Sequence, residues 1–413
     1  MQKLPENQLL NNAKTLLLPA VFLFVFLALV LPQTGHPYDN HCWARWAEGL
    51  FNNGLKWGYD KNSSINYLPL YVYVLKLYSW FAGSANACFS NIYYLKLFTL
   101  VFDVLSIIVM CSFIQNETKR LQWFLFGVLN IGFLYNTIVW GQVDGIFSFF
   151  VLVSFVAAFY KKTLFSTILF LIALNFKLQA IVFLPFLGIF WLQQVTIKKA
   201  SLIVFSIMLA QFIIIAPFVF YGNAKNIVKV AFGSVDYFQV VSMNAFNIWH
   251  LLLNGDLMKT PDNITFMGIS YKNIGLLMFA TVSFVLLFPY LKNLLLYFRQ
   301  KTTQPFTLNF HILTLTLIGF SFFFFNTQMH ERYVHPSIVL ISFYAILNQK
   351  WGLWLLLTVN YALTLEGLVQ FLKLNNYNTL VFDPKFSAAV FLIGFLWCFS
   401  LWVSEYKKAI SNN

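Results

Sequence analysis

Four short stretches of this 413-residue chain carry side chains able to move a proton or hold an anion. The first is HPYDNHCWARWAEGL, with Asp39 between His36 and His41 in aromatic surroundings. Two readings of Asp39 stand side by side. It can cap a helix in which Trp43, Trp46, Ala47 and Leu50 recur at helical spacing. It can equally act as a general base. The second stretch is VWGQVDG, where Gly141 and Gly145 suit a tight turn and Gln142 and Asp144 supply polar groups. An acid in apolar surroundings is costly unless paired or hydrated, so this turn, with Trp140, is expected to line a cavity at the membrane boundary. The third is FKLQ, containing Lys177 and Gln179; an isolated Lys there commonly snorkels to the headgroups. The fourth, NTQMHERYVHP, gathers His330, Glu331, Arg332 and His335, the densest ionisable cluster in the chain. Five residues separate its two histidines, which is off-register for a metal pair on one helix face. Arg beside His suits an anionic phosphate better.

The elements that position these stretches are set by composition. With 59% apolar, 20% aromatic and only 10% charged residues, and a mean hydropathy of +0.70, the chain is no ordinary soluble enzyme. Forty-nine Phe exclude disorder. The fold class expected is all-α, a polytopic membrane helix bundle of about 10–13 spans of some 20 residues each. A net charge of +13 invites a nucleic-acid partner. The Lys and Arg residues, however, fall in pairs between apolar runs, the pattern of cytoplasmic anchors, so no nucleic acid is expected and the surrounding lipids are. Cys42, Cys88, Cys111 and Cys398 form no CxxC or Cys/His spacing. Cys42 and Cys88 share an expected outer segment, where a disulfide could persist; two free thiols in one loop is the plainer reading.

The run 16–32 reads as an uncleaved first span with its N-terminus inside. Further spans are expected near 93–114, 121–138, 145–160, 163–176, 180–195, 200–220, 274–290, 307–325, 336–347, 351–366 and 387–403. The apolar run 67–82 is placed along the outer surface instead. If it crossed, Lys119–Arg120, Lys161–Lys162 and Lys198–Lys199 would all face outward. One domain, 1–413, results, with a first outer loop at 33–92 carrying juxtamembrane helices and a second at 221–273. Of the 14 acids, only Glu6, Glu117 and Glu405 fall inside, and Asp103 alone sits within a span. That bias marks the outer face as the working face.

In this order, YDNHCWARWAEGL, NYLPLYVYVL, WGQVDG, KLQAIVFLPF, NAFNIW and MHERYVHP give the chain its resemblance to the GT-C superfamily of integral-membrane glycosyltransferases. It is most similar to bacterial relatives of the second GPI mannosyltransferase. The resemblance implies a mannosyltransferase-like enzyme that moves a sugar from a polyprenyl-phosphate donor to a hydroxyl of a glycan, lipid or protein acceptor, with inversion. It maps the acid of the first outer loop onto Asp39 as catalytic base. It further implies that Arg332 and Lys177, assisted by His330, stabilise the leaving phosphate, and that Asp144 and Gln142 bind sugar hydroxyls or orient the acceptor. Trp43, Trp46 and Trp140 would stack on sugar faces, or serve as interfacial belt residues. Tyr67, Gln179 and Glu331 complete the expected substrate-binding set. Where relatives often read YPPLY this chain has Tyr67-Leu68-Pro69-Leu70-Tyr71, and no DxD motif accompanies Asp39; no cofactor is therefore expected and a divalent metal is not favoured. The expected location is multi-pass in a membrane, the plasma (inner) membrane if the chain is bacterial, with the site on the extracytoplasmic face. A polytopic transporter of a lipid-linked or anionic substrate is the alternative, and it predicts ionisable groups near the bilayer midplane.

Overall fold

In hydrocarbon every backbone N–H and C=O must be satisfied within its own segment, so apolar runs of this length fold as helices. The computed structural model describes residues 4–233, 236–300 and 305–411. Each of the twelve expected spans is helical in it. Seven helices are long and apolar enough to cross a membrane: Ile92–Cys111, Glu117–Trp140, Ile197–Phe220, Tyr271–Gln300, Leu308–Phe325, Gly352–Val369 and Pro384–Ser411. The pair Glu6–Lys14 and Leu17–Leu29, bent by 45°, passes the same test as one broken span. Asp144–Phe159, Thr163–Phe176, Leu178–Leu192 and the 14-residue helix His335–Asn348 are shorter. The chain is thus a multi-pass membrane protein built as an all-α polytopic bundle.

The described residues divide between two compact units, each discontinuous in sequence. One contains Phe26–Phe102 and Thr137–Tyr237; the other contains Met1–Val25, Asp103–Asn136 and Phe238–Asn413. In the first unit, segment 33–92 folds into the helices Pro37–Asn53, Pro69–Ala82 and Ala85–Ser90 with two short 3-10 turns. Pro69–Ala82 has Pro in its first turn and ends on Gly83 in the left-handed region (φ 77°). It buries Tyr71, Val72, Val74, Leu75 and Tyr78, packs on Pro37–Asn53, and leaves Trp80 and Phe81 exposed. Lys76, awkward in an apolar run, donates to the Leu50 carbonyl at 2.9 Å. Asp144–Phe159 and Thr163–Phe176 form a tight hairpin in the same unit. Ser154 Oγ donates to the Ser166 carbonyl at 2.9 Å and Ser166 Oγ to the Ser154 carbonyl at 2.7 Å, so small residues let the two backbones approach.

The other unit centres on Leu308–Phe325, which is buried almost all round, as a helix apolar on every face should be. His335–Asn348, Tyr271–Gln300 and Pro384–Ser411 pack against it. Phe320, Phe323 and Phe324 meet Phe391 and Phe395 edge-on or stacked. Segment 221–273, expected as a polar outer loop, contributes the helix Ala224–Gly233 to the first unit. To this unit it gives the helix Ile248–Leu252 and short strands. Ser242–Met243 pairs in parallel with Met329–His330, in register Ser242 to Met329. Cys42, Cys88, Cys111 and Cys398 are all free thiols.

Burial is not confined to Asp103: Lys96, Arg120, Asp144, Asp262, Glu331, Glu366 and Glu405 are buried in the protein as well. Position along an apolar run does not reveal which partners tertiary packing supplies. Glu366 is an example. Its carboxylate accepts from the Tyr135 and Tyr377 hydroxyls, from Phe371 N–H at 3.1 Å and from Leu372 N–H at 3.0 Å. It thereby organises the chain reversal that follows Gly352–Val369. Glu366→Ala is expected to lower stability by about 3 kcal/mol or more by stranding those donors. Glu366→Gln, which keeps an acceptor oxygen, is expected to cost less. Thermal unfolding of the purified variants in detergent checks the order.

Candidate functional site

Helix Pro37–Asn53 starts one turn earlier than an Asp39 cap would require, because Pro37 at its first position presets the helical φ. The cap is His36, whose Nδ1 accepts from the Asp39 N–H at 3.4 Å. The capping reading of Asp39 is therefore corrected: the residue lies inside the first turn, where the helix dipole favours an anion. Its carboxylate turns instead to the stretch VWGQVDG. Oδ2 accepts from Trp140 Nε1 at 2.9 Å and from Gln142 Nε2 at 2.6 Å. His36 stacks on the Trp140 ring (centroids 4.8 Å apart, planes 14°), and its N–H donates to the Trp140 carbonyl at 3.1 Å. His36 Nδ1 also lies 3.3 Å from Asp39 Oδ2.

The turn that presents Trp140 and Gln142 is irregular. The helix ends in π-helical Tyr135–Trp140, and Gly141 follows at φ 96°, a conformation other residues adopt only with strain. Lys96, outside the four stretches, holds this turn. It is 2% exposed, and its ammonium donates to the carbonyls of Pro32 (2.9 Å), Ile138 (2.7 Å) and Thr34. All three of its donors thus go to backbone, at both ends of the Asp39–Trp140 junction. The available signal was a Lys at the start of a span, which must find partners or face water; carbonyl partners leave no mark on residue types.

Asp144 and Lys177 form a second pair in the same unit. Asp144 opens Asp144–Phe159 and is fully buried; Lys177 lies in the extended link after Thr163–Phe176 and is 14% exposed. Lys177 Nζ bonds Asp144 Oδ1 and sits 5.5 Å from the Phe147 ring centroid. Snorkelling is therefore corrected: the ammonium turns inward because a buried carboxylate awaits it. Gln179 is half-buried on the 3-10 turn Leu178–Phe183. Tyr67 packs against Trp46 and Tyr71, and its carbonyl accepts from the Tyr59 hydroxyl at 2.7 Å. Trp43, Trp46 and Trp140 are 3%, 4% and 3% exposed. Neither an open stacking platform nor an interfacial belt fits them: their rings are consumed by packing, Trp43 edge-on to Tyr71 and Trp140 under His36.

His330, Glu331 and Arg332 belong to the other unit and come together there. Met329–His330 is held by its strand pairing, and Glu331–Val334 is one 3-10 turn before His335 starts the next helix. Glu331, 3% exposed, accepts from Arg332 Nη1 at 2.9 Å, and its Oε2 lies 3.7 Å from His330 Nδ1. Burial pushes the Glu331 carboxyl up, but the His330 hydrogen bond and the Arg332 charge outweigh it and hold the carboxyl below its usual range. His335 is fully buried and meets the Tyr361 hydroxyl at 3.4 Å. Among the described residues no group of three or more His, Cys, Asp or Glu converges to hold a metal ion.

Two supports of this cluster were not legible as such. Asn247 Nδ2 donates to the carbonyls of Phe323 and Asn326, and Trp249 Nε1 to that of Phe325. They satisfy carbonyls that lack helical partners at the end of Leu308–Phe325. Asp262, 2% exposed, accepts from Thr327 Oγ1 at 2.9 Å and Gln328 Nε2 at 2.7 Å. NAFNIW thus anchors the segment that carries HERY.

Lys177→Met is expected to destabilise the protein by about 3–5 kcal/mol by leaving Asp144 buried without its cation. The double variant with Asp144→Leu is expected to recover most of that loss, and a double-mutant cycle of unfolding free energies measures it. For Glu331 the sign follows from its depressed ionisation. Its charged form contributes stability at neutral pH, and that contribution is lost as pH falls through the folded-state value. The melting temperature of Glu331→Gln should therefore lie below wild type near neutrality, and the gap should close as acid protonates the folded-state carboxyl. No family model and no curated protein matches the chain.

Proposed function

We propose that the protein is an inverting glycosyltransferase that moves a sugar from a polyprenyl-phosphate donor to an acceptor hydroxyl. The observation carrying this reading is the Asp39 carboxylate, 19% exposed and oriented by Trp140 and Gln142. Two stretches singled out for chemistry, about a hundred residues apart, thereby supply one base and the groups that aim it. A carboxylate locked by two donors keeps one geometry, and a base must sit within hydrogen-bond reach of the proton it takes.

In the proposed step Asp39 takes the proton of the acceptor hydroxyl as its oxygen forms a bond to the anomeric carbon. The bond from that carbon to the donor's phosphate oxygen breaks, and its electron pair leaves with polyprenyl phosphate. Inversion follows from the single displacement. Negative charge grows on the phosphate, so fixed cations lower the barrier. The resemblance gives this role to Arg332, His330 and Lys177; Arg332 and Lys177 each have a partner within their own unit, Glu331 for Arg332 and Asp144 for Lys177. Asp144 and Lys177 accordingly serve to brace the turn and the FKLQ link, with Gln179 and Tyr67 at the margin of the site.

The test is transfer of labelled sugar from a panel of polyprenyl-phosphate sugars in native membrane extract, with release of free polyprenyl phosphate. Asp39→Asn should lower transfer by at least about 10²-fold while preserving the acceptor for Trp140 and Gln142, and hence the fold. Equal transfer by both proteins would reduce Asp39 to a brace. Movement of intact substrate across sealed vesicles, with no sugar transferred, would favour the transporter.

A further inference from the structure

The span Ile197–Phe220 is the least buried of the long apolar helices, and it ends with Phe220 79% exposed and Tyr221 exposed beside it. Gly222, at φ 82°, turns the chain. Helix Ala224–Gly233 then starts only four residues after the span ends, and so at the same membrane boundary. Two asparagines fix its rotation. Asn223 Nδ2 donates to the Lys56 carbonyl at 2.9 Å, and Asn226 Nδ2 donates to the Tyr59 carbonyl at 2.7 Å. Asn223, Asn226, Ile227 and Val230 therefore face the protein. Lys225, Val228, Lys229 and Phe232, spaced i, i+3, i+4 and i+7, share the opposite face and point away from it.

That outward face suits neither water nor hydrocarbon. Phe232 is 76% exposed and, with Val228, continues the apolar surface of Phe220 and Tyr221. Lys225 and Lys229 alternate with these side chains and form no salt bridge among the described residues. The segment that the two asparagines grip adds exposed Lys56 and Lys61 against one acid, Asp60. A headgroup layer offers both an apolar boundary and anions side by side. We propose that Ala224–Gly233 is a binding surface for anionic phospholipid. Val228 and Phe232 enter the acyl boundary, and Lys225 and Lys229 reach up to the phosphates. The assignment is independent of any role for Asp39.

Bimane attached at Phe232→Cys, with Cys42→Ser to remove the half-buried thiol, reports on this face in nanodiscs. Brominated lipid should quench the dye, and aqueous iodide should not. At equal content, brominated phosphatidylglycerol should quench more than brominated phosphatidylcholine, and added salt should narrow the difference. Lys225→Gln and Lys229→Gln should each lower that selectivity by up to about fivefold, whereas Lys225→Arg and Lys229→Arg should keep it. Because both lysines are exposed, melting temperatures of these variants in phosphatidylcholine nanodiscs should match the parent protein. Quenching by iodide alone would put the face in water and overturn the proposal. Equal quenching by the two bromolipids would overturn it as well, as would selectivity that survives the Lys225→Gln/Lys229→Gln double variant. Preferential displacement of brominated phosphatidylglycerol by polyprenyl phosphate would also count against it, since the surface would then belong to a different lipid.

Discussion

The arrangement depends on a carboxylate that has been given donors from across the fold. Asp39 has Trp140 and Gln142 on one oxygen, and those two residues sit on a turn that a π-helical end and Gly141 make irregular. Irregular backbone in a membrane protein exposes carbonyls that lipid cannot satisfy. Lys96 answers that need by capping Pro32, Thr34 and Ile138 at once. The cation is used where an ordinary helix end would rely on water. The carboxylate, the indole, the amide and the ammonium therefore form one mechanical junction, and each makes sense only with the others in place.

The same logic recurs at other buried acids. Asp144 has Lys177, Glu331 has Arg332 and His330, and Glu366 has two phenols and two backbone N–H groups. Each acid lies at or near the end of a helix, where it fixes a link rather than stiffening a span. Pairs of this kind add little net stability over apolar packing, but losing one partner is costly, so they impose a single geometry. That suits a protein whose polar residues must hold positions in surroundings that offer few alternatives.

Much of this was readable from residue types. Twelve apolar runs were expected as helices and are helices, because hydrocarbon leaves the backbone little choice. The apolar run 67–82 is a helix as expected, its ends set by Pro69 and Gly83. Asp39, Gln142 and Trp140 were each singled out, but their convergence was not, since nothing in a sequence states that residue 39 meets residue 140. Lys96 and Asp262 escaped because their partners are carbonyls and neutral side chains. Trp43 and Trp46 were assigned to ligand or lipid because burial depends on neighbours that only packing provides. Cap placement at His36 rather than Asp39 turned on Pro37, a single residue whose fixed φ moved the helix start.

The hairpin of Asp144–Phe159 and Thr163–Phe176 has 16 and 14 residues, and so rises only about 24 and 21 Å. A bilayer's hydrocarbon core is about 30 Å thick. Lipid beside this hairpin must therefore thin, or water and headgroups must descend to meet it. The end of the hairpin that carries Asp144 and Lys177 would then lie closer to the opposite surface than it would on a full-length span.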